Sequence, residues 1–456
     1  MAYIFKFLPV PRSLLPCIIL LCGIMIGISI PIVIGYVKDP KWGYTFLFCI
    51  SSIIFILLER RRYHSWTSPV ILMTLGWLPL LILHNLQLSP RFNETLTYST
   101  WNIILFSFIG FCGASLFLCY ISSNKQKIIK IELLKEINPV ALKRIIYVYF
   151  LLGLGIFVFN VINRGGFNSL PIFSGLMAIW GYYIPVVGQF VLLMDIAVIW
   201  SVLYWCLFGL RNSYDLIFIV AAMIIRDLLM FSRGSTNVCI FFGIILFILI
   251  YQNRFRSKKI VKKTIIWISI LLFSMFLIFQ LKSYWSDQTE RSRSLVETGA
   301  VQVPHYSLAY PYIYLTNSIT NLQLNTEGNF NLSMGLRSFG AILSMLQIKE
   351  IDTRPNYISN WSGGIIPYQG TLFLDFGLNG VIFGSIVLGC LCGWLFSRVI
   401  SHPTGFYLVT YSIIAPCILT SAITNWFALG RTLYVVIGSL GLYGIILIAK
   451  TKNRSG

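Results

Sequence analysis

The sequence predicts an all-α, polytopic integral membrane protein of about twelve transmembrane helices, with one long folded loop carrying short interfacial helices. Three observations lead there. Mean hydropathy is +0.79 over 456 residues, of which 57% are hydrophobic and 11% charged, a balance outside that of soluble domains. Apolar runs recur at close to the roughly 20 residues that cross a bilayer. Lys and Arg are also shared unequally between alternate connecting segments, as the positive-inside rule describes.

In chain order the expected spans are 14–36, 42–58, 69–84, 101–121, 145–162, 182–208, 214–231, 236–251, 264–281, 370–396, 406–425 and 432–449. The first, "LLPCIILLCGIMIGISIPIVIGY", exceeds a signal-peptide core and has no small-residue cleavage pattern, so it is read as a helix. Proline and glycine inside several spans are tolerated in membrane helices. With the N-terminus inside, 22 of the 35 Lys and Arg fall in inner segments and six in the short outer loops. Six more lie in one long outer loop, and Arg226 lies within a span. Both termini are therefore expected in the cytoplasm. The net charge of +20 is mostly topogenic, and no nucleic-acid partner is expected.

The chain divides into residues 1–281 with nine spans, an outer loop over 282–369, and residues 370–456 with three spans. The loop contains "SLAYPYIYLTNSITNL" and "LSMGLRSFGAILSML", both with apolar residues at helical spacing, separated by polar connectors. Short helices lying near the bilayer surface are expected there. All ten cysteines fall in apolar spans, which supports neither a disulfide framework nor a thiolate metal site. Phosphate-binding loops, zinc-protease signatures and paired carboxylates are absent from the sequence, so no cofactor, nucleotide or metal is expected.

Charge inside apolar sequence is costly and marks a site or a partner. In "RDLLMFSRGSTN", residues 226–237, Arg226 and Arg233 share a helix face if one helix spans both. Gly234 can end that helix, and Ser235, Thr236 or Asn237 can cap the next. Arginines beside a free helix N-terminus suit a phosphate or diphosphate. The alternative is that Arg233 snorkels to the interface while Arg226 pairs with Asp227 or Asp195. "NRGGFNSLPIFSG", residues 163–175, follows Arg164 with two glycines, either a close approach for a ligand or a plain turn.

The long loop adds Arg291, Arg293, Arg337 and Arg354, and His305 as a general base or a solvated side chain. "DFGLNGVIFGSIVLGCLCG", residues 375–393, holds Gly380-x-x-x-Gly384 and Gly389-x-x-x-Gly393, both read as helix-packing pairs. Asp375 is expected in the first turn of that helix, where it favours the helix dipole or contacts substrate.

This layout resembles the bacterial oligosaccharide repeat-unit polymerases, the Wzy-type O-antigen polymerases. "YISNWSGGIIPYQGTLFLDFGLNGVIFGSIVLGCLCGWLF" is similar to that family's segment in which a polar outer loop runs into D-F-G-x-x-G and a glycine-rich helix. "SRG" at the head of the eighth span and "YLTNSITNLQLNTEGNF" also look like the family. The resemblance implies a metal- and nucleotide-independent glycosyltransferase. It would transfer a polysaccharide from undecaprenyl diphosphate to an incoming lipid-linked repeat unit on the periplasmic face of the inner membrane. A chain-length regulator and a flippase are the implied partners, beside membrane lipid.

Arg164 with Gly175 fits the family's R-x10-G pattern in the first arginine loop. In the second loop Arg291, Arg293 and Arg337 compete. Arg233 and Arg226 would wall the diphosphate site, and His305, Glu327 and Asp352 would be candidates for the base. An O-antigen ligase shares this architecture and chemistry. A flippase or secondary transporter also commonly has twelve spans, although it usually keeps charge near the midplane.

Overall fold

The structure, a computed structural model, describes residues 40–60, 65–89, 95–122, 138–171, 187–209, 213–230, 234–251, 288–328, 331–345, 365–401, 404–425, 427 and 430–452. The fold is helical, with no strand among the described residues. Ten of its helices fall on expected spans, while the expected spans 14–36 and 264–281 lie outside the described residues.

The helices are α1 Pro40–Arg60, α2 Pro69–Asn85, α3 Tyr98–Ser122, α4 Pro139–Asn163, α5 Leu193–Phe208, α6 Leu216–Leu229 and α7 Gly234–Tyr251. There follow α8 Gln288–Glu297, α9 Ala309–Glu327, α10 Gly340–Met345, α11 Tyr368–Ser401, α12 Gly405–Leu419 and α13 Gly430–Lys452. A 3-10 turn, Val187–Leu192, leads directly into α5. Among the described residues, five helical segments are long and apolar enough to cross a membrane: Lys41–Arg60, Tyr98–Ile121, Pro139–Asn163, Val187–Phe208 and Tyr368–Ser401. In α4 the residues Val148, Leu151, Leu152, Phe159 and Ile162 stay exposed, as a lipid-facing surface does.

Local chemistry sets several starts. Asn138 accepts hydrogen bonds from the backbone N–H of Val140 (2.9 Å) and Ala141 (3.3 Å), with Pro139 at the first helical position. This cap starts α4 six residues ahead of the expected span. Ser68 with Pro69 does the same for α2, and Thr404 caps α12.

Glycine brings helices into backbone contact. A Cβ at Gly389 would lie 2.3 Å from the Phe111 carbonyl oxygen, and one at Gly393 would lie 2.4 Å from that of Ser115. The Cys119 thiol reaches the Gly393 carbonyl at 3.2 Å, which closes the α3–α11 seam. The second glycine pair therefore packs helix on helix, as expected. The first pair does not. Cβ atoms at Gly380 and Gly384 would meet Phe376 and Leu372 of the same helix, because α11 breaks at Gly377 (φ 68°, ψ −162°). Below the break, residues 378–401 span about 36 Å at 1.5 Å per residue, enough alone for an apolar layer of about 30 Å.

α9 departs from the expected interfacial helix. It carries Thr316, Asn317, Ser318, Thr320, Asn321, Gln323 and Asn325, all buried, and packs on α2, α3 and α11. Its polar groups reach main-chain atoms where other helices begin or end. Asn321 donates to Ile365 O (2.7 Å), Ser318 to Ala422 O (2.9 Å) and Gln323 to Thr95 O (3.2 Å). The Tyr312 hydroxyl donates to Leu83 O (3.2 Å) and accepts from Leu88 N (3.0 Å). Buried polar side chains need such partners, and α9 finds them by closing one end of the bundle, called here the upper end.

Candidate functional site

The features that can bear chemistry gather at that upper end. α13 begins there and runs down past α5 and α4, with Gly438 against Ile196 and Gly441 within van der Waals reach of the Tyr149 hydroxyl. The C-terminus of α4 and the turn Val187–Leu192 consequently share this end with the start of α11. α10 packs on α13 as well.

Arg164 is the C-cap of α4 and is exposed. Gly165 (φ 103°) and Gly166 (φ 80°) follow in the left-handed region, and among the described residues neither meets an atom beyond its chain neighbours within 4 Å of where a Cβ would stand. Backbone conformation explains both glycines. Below this loop Phe157, Val161, Leu170, Val191 and Met230 form one small apolar cluster. It joins the Arg164 loop to the end of α6. Gly175 lies outside the described residues.

Arg226 stands in α6 beside that cluster and is buried. Its Nη2 donates to Asp227 Oδ1 at 2.6 Å and to Asp195 Oδ1 at 2.8 Å, and its Nε donates to Asp227 Oδ1 at 3.1 Å. Nη1 reaches the Val191 carbonyl at 3.4 Å. Both aspartates are buried, so the structure contains the pairing weighed above as the alternative. Such a cluster is costly to desolvate and worse to break. Arg233, the other arginine of that motif, lies outside the described residues, as do the side chains of Ser235, Thr236 and Asn237.

Asp375 is fully buried at 0% exposure, well inside α11 and just ahead of the Gly377 break, not in a first turn. Oδ1 accepts from the Ser333 hydroxyl (2.6 Å) and the Arg337 N–H (3.1 Å), and Oδ2 accepts from the Ser338 N–H (2.6 Å). The break would orphan the carbonyls of Leu374 and Asp375. The same turn fills them, through Ser333 N to Leu374 O (3.0 Å) and Met334 N to Asp375 O (3.1 Å). Turn 333–338 and the kink thus complete each other. On the turn, the half-buried Arg337 donates from Nε to the Ser333 hydroxyl at 3.2 Å. Met334 (φ 49°) and Gly335 (φ 88°) give the turn its left-handed corner.

The remaining candidates are dispersed. Arg291 is exposed on α8, and Arg293 lies 5.3 Å from the Tyr306 ring centroid in a cation–π arrangement. His305 is exposed and caps the turn Tyr306–Leu308, with Nδ1 2.8 Å from the Ser307 hydroxyl. Glu327 is exposed at the end of α9. Asp352 and Arg354 lie outside the described residues. No three His, Cys, Asp or Glu side chains gather into a metal-ligating group among the described residues.

No family model, curated protein or solved structure matches the chain. Sequence reasoning also missed Ser333 and Ser338. A serine either side of the turn becomes informative only with Asp375 placed beneath it.

Proposed function

We propose that the chain is a membrane glycosyltransferase of the bacterial inner membrane, with both termini cytoplasmic and the upper end facing the periplasm. It polymerises undecaprenyl-diphosphate-linked oligosaccharide repeat units into O-antigen or a similar surface polysaccharide. One observation carries this reading. Two arginine-bearing loops, that of Arg164 and that of Arg337, sit at one end of an apolar helix bundle. The substrate asks for that combination, since its prenyl chain stays in the bilayer and its diphosphate at the surface.

In the reaction, the acceptor hydroxyl attacks the anomeric carbon of the chain held on its carrier. The new glycosidic bond forms as the bond to the diphosphate oxygen breaks. The carrier diphosphate leaves with that electron pair, and the acceptor proton passes to a base, for which His305, Glu327 and Asp352 are the candidates. Arg164 and Arg337 stabilise the charge that develops on the leaving diphosphate. Of the three competing arginines, Arg337 is preferred because its backbone is anchored on a buried carboxylate, whereas the Arg291 and Arg293 side chains are exposed on α8. Chain-length regulator and flippase are the partners that go with this activity. A second reading, transport of a lipid-linked oligosaccharide, is favoured by the buried Arg226–Asp195–Asp227 cluster, because transporters keep charge within the bundle. A ligase would share the chemistry with a different acceptor.

Lipopolysaccharide from the source bacterium, compared with and without this gene and after complementation, separates the readings. A ladder that collapses to core bearing a single repeat unit supports the polymerase. Bare core refutes it, and long chains retained on the lipid carrier would then point to the ligase.

A further inference from the structure

The carboxylate of Asp375 touches only protein donors, yet everything it holds belongs to the turn that carries Arg337. We infer that Asp375 is a positioning residue, fixing turn 333–338 so that the Arg337 guanidinium meets the carrier diphosphate; this rests on the function proposed above. Three contacts carry the inference. Asp375 Oδ1 accepts from the Arg337 N–H at 3.1 Å, which fixes where that residue's backbone sits. The same oxygen accepts from the Ser333 hydroxyl at 2.6 Å, and that hydroxyl accepts from Arg337 Nε at 3.2 Å, so one carboxylate sets both ends of the arginine. Oδ2 accepts from the Ser338 N–H at 2.6 Å and closes the turn from its far side.

A carboxylate so used has no need of the substrate, and its burial means no substrate reaches it. Preorganised donors are effective because they need not reorganise when charge develops. A freely rotating arginine on a loop would lose much of that benefit to ordering. Ser333 is the relay. It links the buried acid to the guanidinium and donates while it accepts, as a hydroxyl can. The strained corner at Met334 and Gly335 persists because the groups on either side of it are held on α11.

The test measures binding of undecaprenyl diphosphate to the full-length protein in detergent, for wild type, Asp375→Ala, Arg337→Ala and the double variant. Thermal unfolding is followed in parallel. Arg337→Ala should raise Kd about tenfold or more, as loss of a charge-assisted contact does. Asp375→Ala should raise it comparably, and the double variant no further than Arg337→Ala alone.

Ser333→Ala keeps the backbone bonds and should raise Kd to a smaller extent at an unchanged unfolding midpoint. It serves if Asp375→Ala fails to fold. Asp375→Asn retains an acceptor toward Ser333 and should recover part of the loss. Multiplying losses, or a double variant weaker than Arg337→Ala, would show that Asp375 does not act through Arg337 and overturn the proposal. An unchanged Kd in both Asp375→Ala and Ser333→Ala, with Arg337→Ala weakened, would overturn it while leaving the functional reading intact. Wild type failing to bind, or Arg337→Ala binding like wild type, would remove the functional reading and the proposal together.

Discussion

Two arginine–aspartate arrangements stand at the same end of this molecule and use the same chemistry in opposite senses. In α6 the Arg226 guanidinium is taken up by two buried carboxylates, so cation and anions hold one another inside the bundle. At the break in α11 the Asp375 carboxylate is taken up by backbone N–H groups and a hydroxyl, and the neighbouring guanidinium donates to that same hydroxyl. Proximity of opposite charges therefore does not define a role. What decides is which donors fill the carboxylate.

The largest effect should come from breaking the first arrangement. Arg226→Ala leaves two buried aspartates facing each other and should cost about 3–5 kcal/mol, read as a fall in thermal midpoint and in membrane level. An unchanged midpoint would mean that the cluster is not the buried lock described here. Next is Gly377→Ala, which forces a side chain onto φ 68° where α11 breaks. It should cost about 1–3 kcal/mol, because that backbone region is open essentially to glycine alone, with the loss measured by unfolding of purified protein. A helix that straightened without loss would detach the Asp375 arrangement from the kink.

Arg164→Ala should change stability by less than about 0.5 kcal/mol, in the range of ordinary surface substitutions, and Arg337→Ala, which loses the bond to Ser333, by about 1 kcal/mol. Both should nevertheless abolish the polymer ladder at normal membrane levels. Loss of protein in both variants would make them structural, like Arg226.

The smallest effect concerns a third pair, at the opposite end of the bundle. Asp215 lies 2.7 Å from Lys143 and accepts from the Tyr147 hydroxyl. Burial is the largest single influence and raises its carboxyl, but the hydrogen bonds from Lys143 and Tyr147 and the charge of Lys143 together hold it below the usual range. Its contribution is thus present above about pH 4 and fades as pH falls through the lower folded-state value. The difference in midpoint between wild type and Asp215→Asn should shrink accordingly, by a small amount because the pair is exposed.

Much of the helical layout was legible because its signals are local. Apolar run length located ten helices, and Ser68-Pro69 and Asn138-Pro139 are readable starts. The kink was not legible, since Gly377 is one glycine in a glycine-rich run and only its dihedrals set it apart. That single break redirected Gly380 and Gly384 onto their own helix, although their spacing equals that of Gly389 and Gly393. Arg226 with Asp195 was visible as a possibility, but choosing it required knowing that α5 starts beside α6. The partners of α9 were not legible because Ser318, Asn321 and Gln323 donate to carbonyls more than 40 residues away, and no local pattern carries that information.

The nature of α9 bears on how the chain is made. It leaves the ribosome before α11 and α12, yet Asn321 and Ser318 bond to residues 365 and 422. Until those later helices are made, a segment rich in polar side chains lacks the carbonyls of residues 365 and 422 that receive it. Closure of the upper end is therefore a late event in biogenesis, and a chain truncated after residue 369 should carry α9 undocked and open to protease.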